Sequence, residues 1–350
     1  MKRADIVIVG DGIVGLTTAL ALTERGHQVL VVEGPASGER SPAEGFVSPV
    51  PPWRHPELVQ RLIARSREML PELVTALGQA TGVDCGFQKH GLLLTGDQLG
   101  GGREWLEKSD LRWQWGPVAG FEPSLSGGEQ PALLIEDISQ IRSDRLERAL
   151  ALTLSQRGVP VLVGRAVSRL QVAGNIVLGV ELADGRRVDA DTVVLAAGAM
   201  TNPLLFDSGL QPIQIDPASA PWLMFNPASQ LITHAINTGD CCLIPGADGR
   251  ILASSLLEDE GQGADDDFLT RIANWLPALS RFDLESRWVG ARPDPGRQLP
   301  AIGAYPQLRG LWINSGHLRS GLGIAPAAAE LLAEEMNGGP IISELAVRLA

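Results

Sequence analysis

The sequence predicts an α/β protein in which a smaller α+β domain is inserted into a domain built on a parallel sheet. Two observations predict this class. Buried strands that run into Gly-containing turns lie at the start, the middle and the end of the chain, within residues 6–33, 191–199 and 311–336. Strand-rich stretches with hairpin turns separate these segments. We therefore expect the parallel-sheet domain to be discontinuous in sequence.

The amino-terminal segment has the order of a dinucleotide-binding unit. An apolar strand over residues 6–9 runs into Gly10-Asp11-Gly12-Ile13-Val14-Gly15, and apolar residues then recur at helical spacing. A second apolar strand, residues 28–32, ends at Glu33. This order, with the acidic residue about 20 positions after the glycines, is typical of a Rossmann-like fold. A plain βαβ unit with a Gly-rich turn is the alternative.

Each position of the motif has a physical role. Gly10 permits the tight turn, Gly12 lets the backbone approach a pyrophosphate, and Gly15 lets the helix close on the strand. The N–H groups of the first helical turn and the positive end of the helix dipole then hold the phosphates. Glu33 can accept hydrogen bonds from ribose hydroxyls, and its charge would repel a 2′-phosphate.

Composition bounds the class of protein. The chain of 350 residues, 44% hydrophobic, is long enough for two globular domains. No apolar run approaches the ~20 residues that span a membrane. The start, Met1-Lys2-Arg3 and an apolar stretch, resembles a signal peptide, but Asp5 and Asp11 interrupt it, so we predict a cytoplasmic protein.

Charge and cysteine content exclude further classes. The formal net charge of −12 argues against nucleic acid as a main partner. Cys85, Cys241 and Cys242 give neither a disulfide framework nor metal-ligand spacing. The adjacent pair is typical of small, partly buried side chains in a strand, and a reactive pair is the alternative. A homo-oligomer is compatible with the sequence.

Periodicity predicts the remaining elements. Helices are expected at 55–77 with a kink or break at Pro71, at 144–157, at 265–279 with a bend or end at Pro277, and at 325–336 with Pro326 in the first turn. Residues 86–95 are expected to form a hairpin or strand with His90-Gly91 at its turn, and Asp184-Gly185 and Asp248-Gly249 mark two further hairpins. Other strands are expected at 133–138, 159–162, 166–172, 177–182 and 311–314.

Three motifs in order resemble one family. The first is the Gly10–Gly15 motif with Glu33, the second is Val194-Leu195-Ala196-Ala197-Gly198-Ala199, and the third is Gly316-His317-Leu318-Arg319-Ser320-Gly321. Together they resemble the FAD-dependent D-amino acid oxidase family, closest to its glycine oxidase branch. The resemblance implies an FAD-binding domain over 1–82, 141–211 and 286–350. It also implies a substrate domain with a large antiparallel sheet over 83–140 and 212–285.

The resemblance also implies the chemistry and the cofactor contacts. Flavin N5 would accept hydride from the α-carbon of glycine, a D-amino acid or an N-substituted glycine. The imine would hydrolyse to an oxo acid, and oxygen or another acceptor would take the electrons. FAD is expected to be noncovalent, because relatives that attach it use a cysteine nearer the C-terminus, and this chain has no cysteine after Cys242. The expected cofactor contacts are Gly10, Gly12, Ile13, Val14, Gly15, Glu33, Gly45, Val167, Ala197, Gly198, Arg319, Ser320, Gly321, Leu322 and Gly323.

The substrate of this family is a carboxylate that meets an arginine before the last strands. Arg292, in Trp288-Val289-Gly290-Ala291-Arg292-Pro293, matches that place, and a guanidinium binds a carboxylate bidentately. A surface ion pair is the alternative for Arg292. Arg319 and His317 are the other expected catalytic residues, with His317 against the isoalloxazine ring. Cys242 and Leu257 are the other expected substrate contacts.

Two departures leave other functions open. Glycine oxidases have a carboxylate-binding tyrosine where this chain has Cys242, and Met200 stands where an aromatic residue often follows the Ala-Gly segment. One alternative is an FAD enzyme of the same fold that oxidises a 2-hydroxy acid, with His234 or His317 as general base, or another amine. The other is a flavin-binding protein without this activity, acting as an assembly or regulatory partner.

Overall fold

We describe a computed structural model covering residues 4–34, 44–46, 51–227, 229–257, 264–296 and 298–350. Its strands are β1 (Ala4–Val9), β2 (Val29–Val32), β3 (Glu44–Phe46), β4 (Gln88–Lys89), β5 (Leu92–Thr95), β6 (Trp113–Pro117), β7 (Pro131–Ile135), β8 (Ser139–Arg142), β9 (Val161–Leu162), β10 (Val167–Ala173), β11 (Ile176–Leu182), β12 (Arg187–Leu195), β13 (Asp216–Phe225), β14 (Ala235–Asn237), β15 (Cys241–Pro245), β16 (Ile251–Ser255), β17 (Leu284–Asp294), β18 (Ala301–Ala304) and β19 (Leu311–Ser315). Its helices are α1 (Ile13–Glu24), α2 (Glu57–Thr81), α3 (Gly102–Leu106), α4 (Val118–Phe121), α5 (Ser143–Gln156), α6 (Thr201–Asp207), α7 (Ala264–Trp275) and α8 (Gly321–Met336).

An eight-stranded sheet, in which β10-β11-β12-β1-β2-β9 run in order and β19 carries β18, joins the three predicted segments. β1 pairs in parallel with β12, and β12 pairs in parallel with β19. Val9 lies opposite Leu195, and Leu195 lies opposite Ile313. The turns that follow these three strands therefore emerge at one edge of the sheet, as expected for a ligand site in a parallel α/β fold.

A second eight-stranded sheet has the order β17-β13-β16-β15-β14-β5-β7-β6. Its pairs are antiparallel except for β14 with β5. One face packs on α7, where Leu223 and Leu243 share a core with Phe268 and Ile272. The opposite face, which we call the inner face, carries an apolar cluster that includes Cys242, Leu252 and Trp288. Side chains alternate between the two faces because the period of a strand is two.

The domain boundaries predicted from the sequence stay a prediction. The predicted boundary between residues 285 and 286 lies inside β17, which pairs with β13 from Leu284 to Asp294. A third, three-stranded sheet joins β3, β8 and β4. In the described part of the chain, no helix is both long enough and apolar enough to cross a lipid bilayer.

Of the two alternatives predicted at Pro71, a kink or a break, the break is wrong, since α2 continues through Pro71 from Glu57 to Thr81. Leu62, Leu70 and Leu77 of this helix are buried in the core beneath α1 and α8. Burying this apolar face offsets the one backbone hydrogen bond that a proline removes from a helix.

Two other local predictions are corrected. Residues 86–95 do not form a hairpin, because β4 pairs with β8 whereas β5 pairs with β7 and β14. Gly91, at φ +69°, turns the chain from one sheet into the other.

The last helix begins at Gly321, so Pro326 lies inside it and not in its first turn. The predicted end of α7 before Pro277 is confirmed.

Candidate active site

The Gly-rich turn after β1 is closely packed at two glycines and open at the third. A Cβ on Gly10, whose φ is +122°, would lie 2.3 Å from the carbonyl oxygen of Ala196, and one on Gly15 would lie 1.9 Å from that of Gly10. A Cβ on Gly12 would meet only Oε1 of Glu147, at 3.9 Å. Gly10 and Gly15 are therefore required by the fold itself, while Gly12 leaves room beside the start of α1.

Helix α1 begins at this turn without a side-chain cap. The backbone N–H of Ile13 donates to Oε1 of Glu147, at 3.2 Å. Glu147 lies on α5, and sequence reasoning missed it because nothing in the pattern of 144–157 distinguishes it from other polar positions of that helix.

Glu33 and Val167, which are both predicted cofactor contacts, lie together. The Glu33 carboxylate, at the end of β2, accepts a hydrogen bond from the backbone N–H of Gly164, and the Glu33 carbonyl accepts one from Val167 at 3.2 Å. Gly45 lies on β3 opposite Ile141. The carboxylate of Glu33 is half-buried beside the turn after β1.

Gly198 connects the second sequence motif, residues 194–199, to β19 of the first sheet. Its carbonyl oxygen accepts hydrogen bonds from the hydroxyls of Thr201, at 2.7 Å, and Ser315, at 3.2 Å. Ala197 packs near Gly10 through the intervening Gly34, whose Cβ would lie 3.8 Å from that of Ala197. The structure therefore brings the amino-terminal and middle motifs into contact.

The third motif forms the loop before α8 and is anchored to the second sheet. Leu318 has a φ of +44°, which is uncommon for a residue with a branched side chain. Its N–H donates to the carbonyl of Pro293 at 3.0 Å, and Nη2 of Arg319 donates to the carbonyl of Leu256 at 2.6 Å. Ser320 precedes α8, and Gly321, Leu322 and Gly323 form its first turn.

His317 is a buried, neutral imidazole. It is 5% exposed, and burial lowers its pKa to about 4. Among the residues that the structure describes, its Nε2 has no hydrogen-bond partner. A buried polar atom of this kind ordinarily pairs, so Nε2 is available to a bound molecule.

The loop before α8 forms one wall of a cavity of about 390 Å³, which we call the central cavity. Its lining includes Arg54, His55, Leu256, Asp294, His317 and Arg319. Burial and the charge of Arg319 lower the pKa of His55 to about 4. His55 was missed by sequence reasoning, since it precedes α2 and belongs to none of the three motifs.

Arg292 lies on the inner face, on the same side of β17 as Asp294. Its Nη2 donates to the hydroxyl of Ser254 at 2.9 Å, and its guanidinium carbon lies 5.1 Å from the ring centroid of Trp222. Arg292 is half-buried. A hydroxyl and an indole ring therefore fix the orientation of the cation.

Cys242 lies opposite Ser254 on the inner face and is buried. Burial raises the pKa of its thiol, against the charges of Arg292 and Arg319. The adjacent Cys241 points to the α7 side, where burial raises its pKa to about 12. Neither thiol is ionised at neutral pH, and the strand predicted for this pair is present.

Two residues named from the sequence lie elsewhere. Leu257 is 42% exposed, while Leu256 lines the central cavity. Both leucines follow the end of β16 at Ser255, and the substrate contact assigned to Leu257 stays a prediction. His234 Nδ1 lies 2.7 Å from the buried carboxylate of Glu122, and His234 is absent from the described lining of the central cavity.

The sequence pattern of the FAD dependent oxidoreductase family (DAO) matches residues 5–335. The chain belongs to this family. Glycine oxidase of Pseudomonas aeruginosa is 32% identical to it over 96% of both chains. Glycine oxidase of Pseudomonas putida is 30% identical, also over 96% of both chains.

The fold agrees with this family. The crystal structure of glycine oxidase from Geobacillus kaustophilus superposes with a TM-score of 0.87 at 23% identity, over 99% of this chain and 98% of that chain. The predicted fold class, the oxidoreductase class and the FAD cofactor are confirmed.

The residues present fit FAD. The space beside Gly12, the amino-terminal end of α1 and the carboxylate of Glu33 match a pyrophosphate and a ribose. In the central cavity, Nε2 of His317, which has no hydrogen-bond partner among the described residues, would offer FAD a polar contact. The individual contacts, and the noncovalent attachment, stay predictions.

Proposed function

We propose that this protein oxidises the Cα–N bond of a small amino acid with a free carboxylate: glycine, a D-amino acid or an N-substituted glycine. The substrate loses a hydride and a proton and becomes an imine, which water hydrolyses to an oxo acid and ammonia or an amine. The observation that carries the proposal is Arg292, oriented by Ser254 and Trp222 on the inner face, two residues before Asp294 of the central-cavity lining. The glycine oxidases at 32% and 30% identity support this substrate class.

Arg292 binds the substrate carboxylate in this proposal. A guanidinium presents parallel N–H groups that match the two oxygens of a carboxylate, and it keeps its charge in a partly buried site. The hydrogen bond to Ser254 and the ring of Trp222 restrict its rotamers before substrate binds. Such preorganisation reduces the entropy lost on binding.

The remaining groups position the amine. FAD, when bound, supplies the hydride acceptor. His317 is neutral at physiological pH, so it adds no positive charge that would repel the ammonium form in which an amino acid arrives. The reaction requires a neutral amine held at the correct distance, and positioning of this kind accounts for much of its acceleration.

Oxidation of a 2-hydroxy acid is the second candidate, and the geometry favours it less. An alcohol has to lose its proton to a base as hydride leaves. His234 is hydrogen-bonded to Glu122 and lies outside the described lining of the cavity. His317, with a pKa of about 4, is a weak base at neutral pH.

Anaerobic titration of the purified holoenzyme tests the proposal. Glycine, sarcosine and D-alanine should bleach the flavin, whereas glycolate and D-lactate should leave it oxidised. Bleaching by the hydroxy acids alone would select the second candidate. A flavin that none of these compounds reduces would favour a binding protein without this activity. Admitting oxygen after bleaching then measures whether oxygen is the electron acceptor.

A further inference from the structure

Two tryptophans lie face to face on the inner face of the second sheet. Trp222 of β13 is directly opposite Trp288 of β17. Their ring centroids lie 6.2 Å apart and their planes differ by 6°. Trp288 is only 9% exposed. Stacked indoles of this size form a rigid block across two neighbouring strands.

The block is next to Arg292. A Cβ on Gly290 would lie 2.8 Å from Nε1 of Trp222, so the indole crosses the strand above Gly290. The Arg292 guanidinium lies over the same ring, with its central carbon 5.1 Å from the centroid. Along the inner face of β17, Asp294 at the central cavity is followed by Arg292, then the Trp222 ring, then Trp288.

A second cavity of about 210 Å³, which we call the outer pocket, lies beyond the tryptophans. Its floor continues the inner face with Met224, Ile244 and Leu252. Its rim is charged: Arg250 pairs with Glu285 at 2.6 Å and with Asp248 at 3.0 Å. An apolar floor with a charged rim suits an aliphatic or aromatic side chain better than a second carboxylate.

We propose that Trp222 and Trp288 form a wall between the Arg292 site and the outer pocket, and that this wall limits the substituent on the substrate's α-carbon to hydrogen or methyl. The inference rests on the proposed function. With its carboxylate on Arg292, a substrate has its α-carbon beside the Trp222 ring. A longer side chain directed along the sheet meets the indole before it reaches the apolar floor behind.

The measured quantity is the ratio of kcat/KM for D-phenylalanine or D-leucine to kcat/KM for glycine. Trp222→Ala also removes the ring on which Arg292 rests, so it weakens every carboxylate substrate, but the ratio cancels that common loss. We expect the ratio to rise at least about tenfold, since one methylene that does or does not fit a pocket is worth roughly 10–200-fold. Trp288→Ala, which opens the outer pocket behind Trp222, should change the ratio in the same direction.

Matched variants distinguish the loss of the wall from the general effect of removing a tryptophan from this sheet. Trp222→Phe keeps an aromatic ring above Gly290 and should keep a preference for small substrates. Trp115→Ala removes a 46% exposed tryptophan from β6, at the opposite edge of the same sheet, and should leave the ratio unchanged. An unchanged ratio in a Trp222→Ala enzyme that retains its FAD would overturn the proposal.

A measurement on the wild-type holoenzyme covers the case in which the variants do not fold. The flavin absorbance change on binding gives dissociation constants for acetate, propionate and 3-phenylpropionate. The wall predicts that 3-phenylpropionate binds at least about tenfold more weakly than acetate, and equal affinities would overturn it. If no amino acid reduces the wild-type flavin, the proposed function fails. If glycine and D-phenylalanine reduce it equally well, the wall fails while the function stands.

Discussion

Glu147 on α5 and Ile13 on α1 are joined by a hydrogen bond of 3.2 Å from the Ile13 backbone N–H to the Glu147 carboxylate. The N–H groups at this helix start are the ones that a Gly-rich dinucleotide motif offers to phosphate. A carboxylate from another helix would therefore compete with a bound pyrophosphate for the same donor. Glu147 stabilises the start of α1 in the protein alone and opposes a second negative charge there.

Replacing Glu147 with glutamine should consequently tighten FAD binding. Removing a like charge near a helix N-terminus is worth about 1 kcal/mol, which corresponds to a dissociation constant roughly fivefold lower. Titration of the apoprotein with FAD at low and high salt measures it, and the gain should shrink at high salt. Glu24→Gln, at the other end of α1, is the control. Weaker binding in Glu147→Gln would mean that the carboxylate assists the cofactor.

Gly12 and Gly15 should fail in different ways. Gly12→Val should fold with a melting temperature near that of the wild-type apoprotein, because its Cβ meets only the Glu147 carboxylate. It should lose FAD, because the side chain fills the approach of the pyrophosphate. Gly15→Ala should be destabilised, since its Cβ would lie 1.9 Å from the Gly10 carbonyl. The flavin-to-protein absorbance ratio and thermal unfolding distinguish the two. Full FAD occupancy in Gly12→Val would refute the assigned role.

Arg292→Ala should raise the KM for the amino acid that bleaches the flavin by roughly a hundredfold or more. Truncating one partner of a buried charged pair costs about 2–5 kcal/mol, and about 1.4 kcal/mol is tenfold. Arg292→Lys should recover only part of the loss, because an ammonium cannot reproduce the bidentate geometry. The flavin spectrum should hardly change. Arg287→Ala, an exposed arginine on the same strand, is the control. Steady-state kinetics that do not change would disprove the carboxylate role.

His317 should make the protein acid-sensitive. Its folded pKa of about 4 lies below the ordinary value of 6.5, so between these values the unfolded chain binds a proton that the folded protein does not. Stability is therefore complete above pH 6.5 and falls as the pH drops toward 4, by roughly 3 kcal/mol for a shift of this size. His55, with the same lowered pKa, adds to the loss. Denaturant unfolding between pH 6.5 and pH 4 measures this loss. The free energy of unfolding of His317→Asn should fall less steeply with decreasing pH than that of the wild type. A slope identical to the wild type would contradict the assignment.

The sequence predicted the parts of the fold that local patterns encode. Buried strands ending in glycine specified β1, β12 and β19, and their turns meet at one sheet edge. The family resemblance predicted Arg292 as the carboxylate-binding residue, and the structure adds the Ser254 and Trp222 contacts that orient it. Glu147, His55 and Trp222 could not be foreseen, because their roles depend on contacts between segments far apart in the chain. Leu257 is absent from the described lining of the central cavity while Leu256 lines it, and both follow the end of β16, where strand alternation no longer assigns a side chain to a face.

The bonds from the loop before α8 to the second sheet have a thermodynamic consequence. The N–H of Leu318 donates a hydrogen bond to the carbonyl of Pro293, which follows Arg292 in the chain. The side chain of Arg319 donates one to the carbonyl of Leu256. The first of these bonds connects β17 to the loop that precedes the start of α8, so we expect a displacement of one to move the other. Where a substrate or inhibitor changes the affinity for FAD through this connection, FAD changes the affinity for that molecule by the same factor. The two ligands are then reciprocal effectors, coupled through two backbone carbonyls.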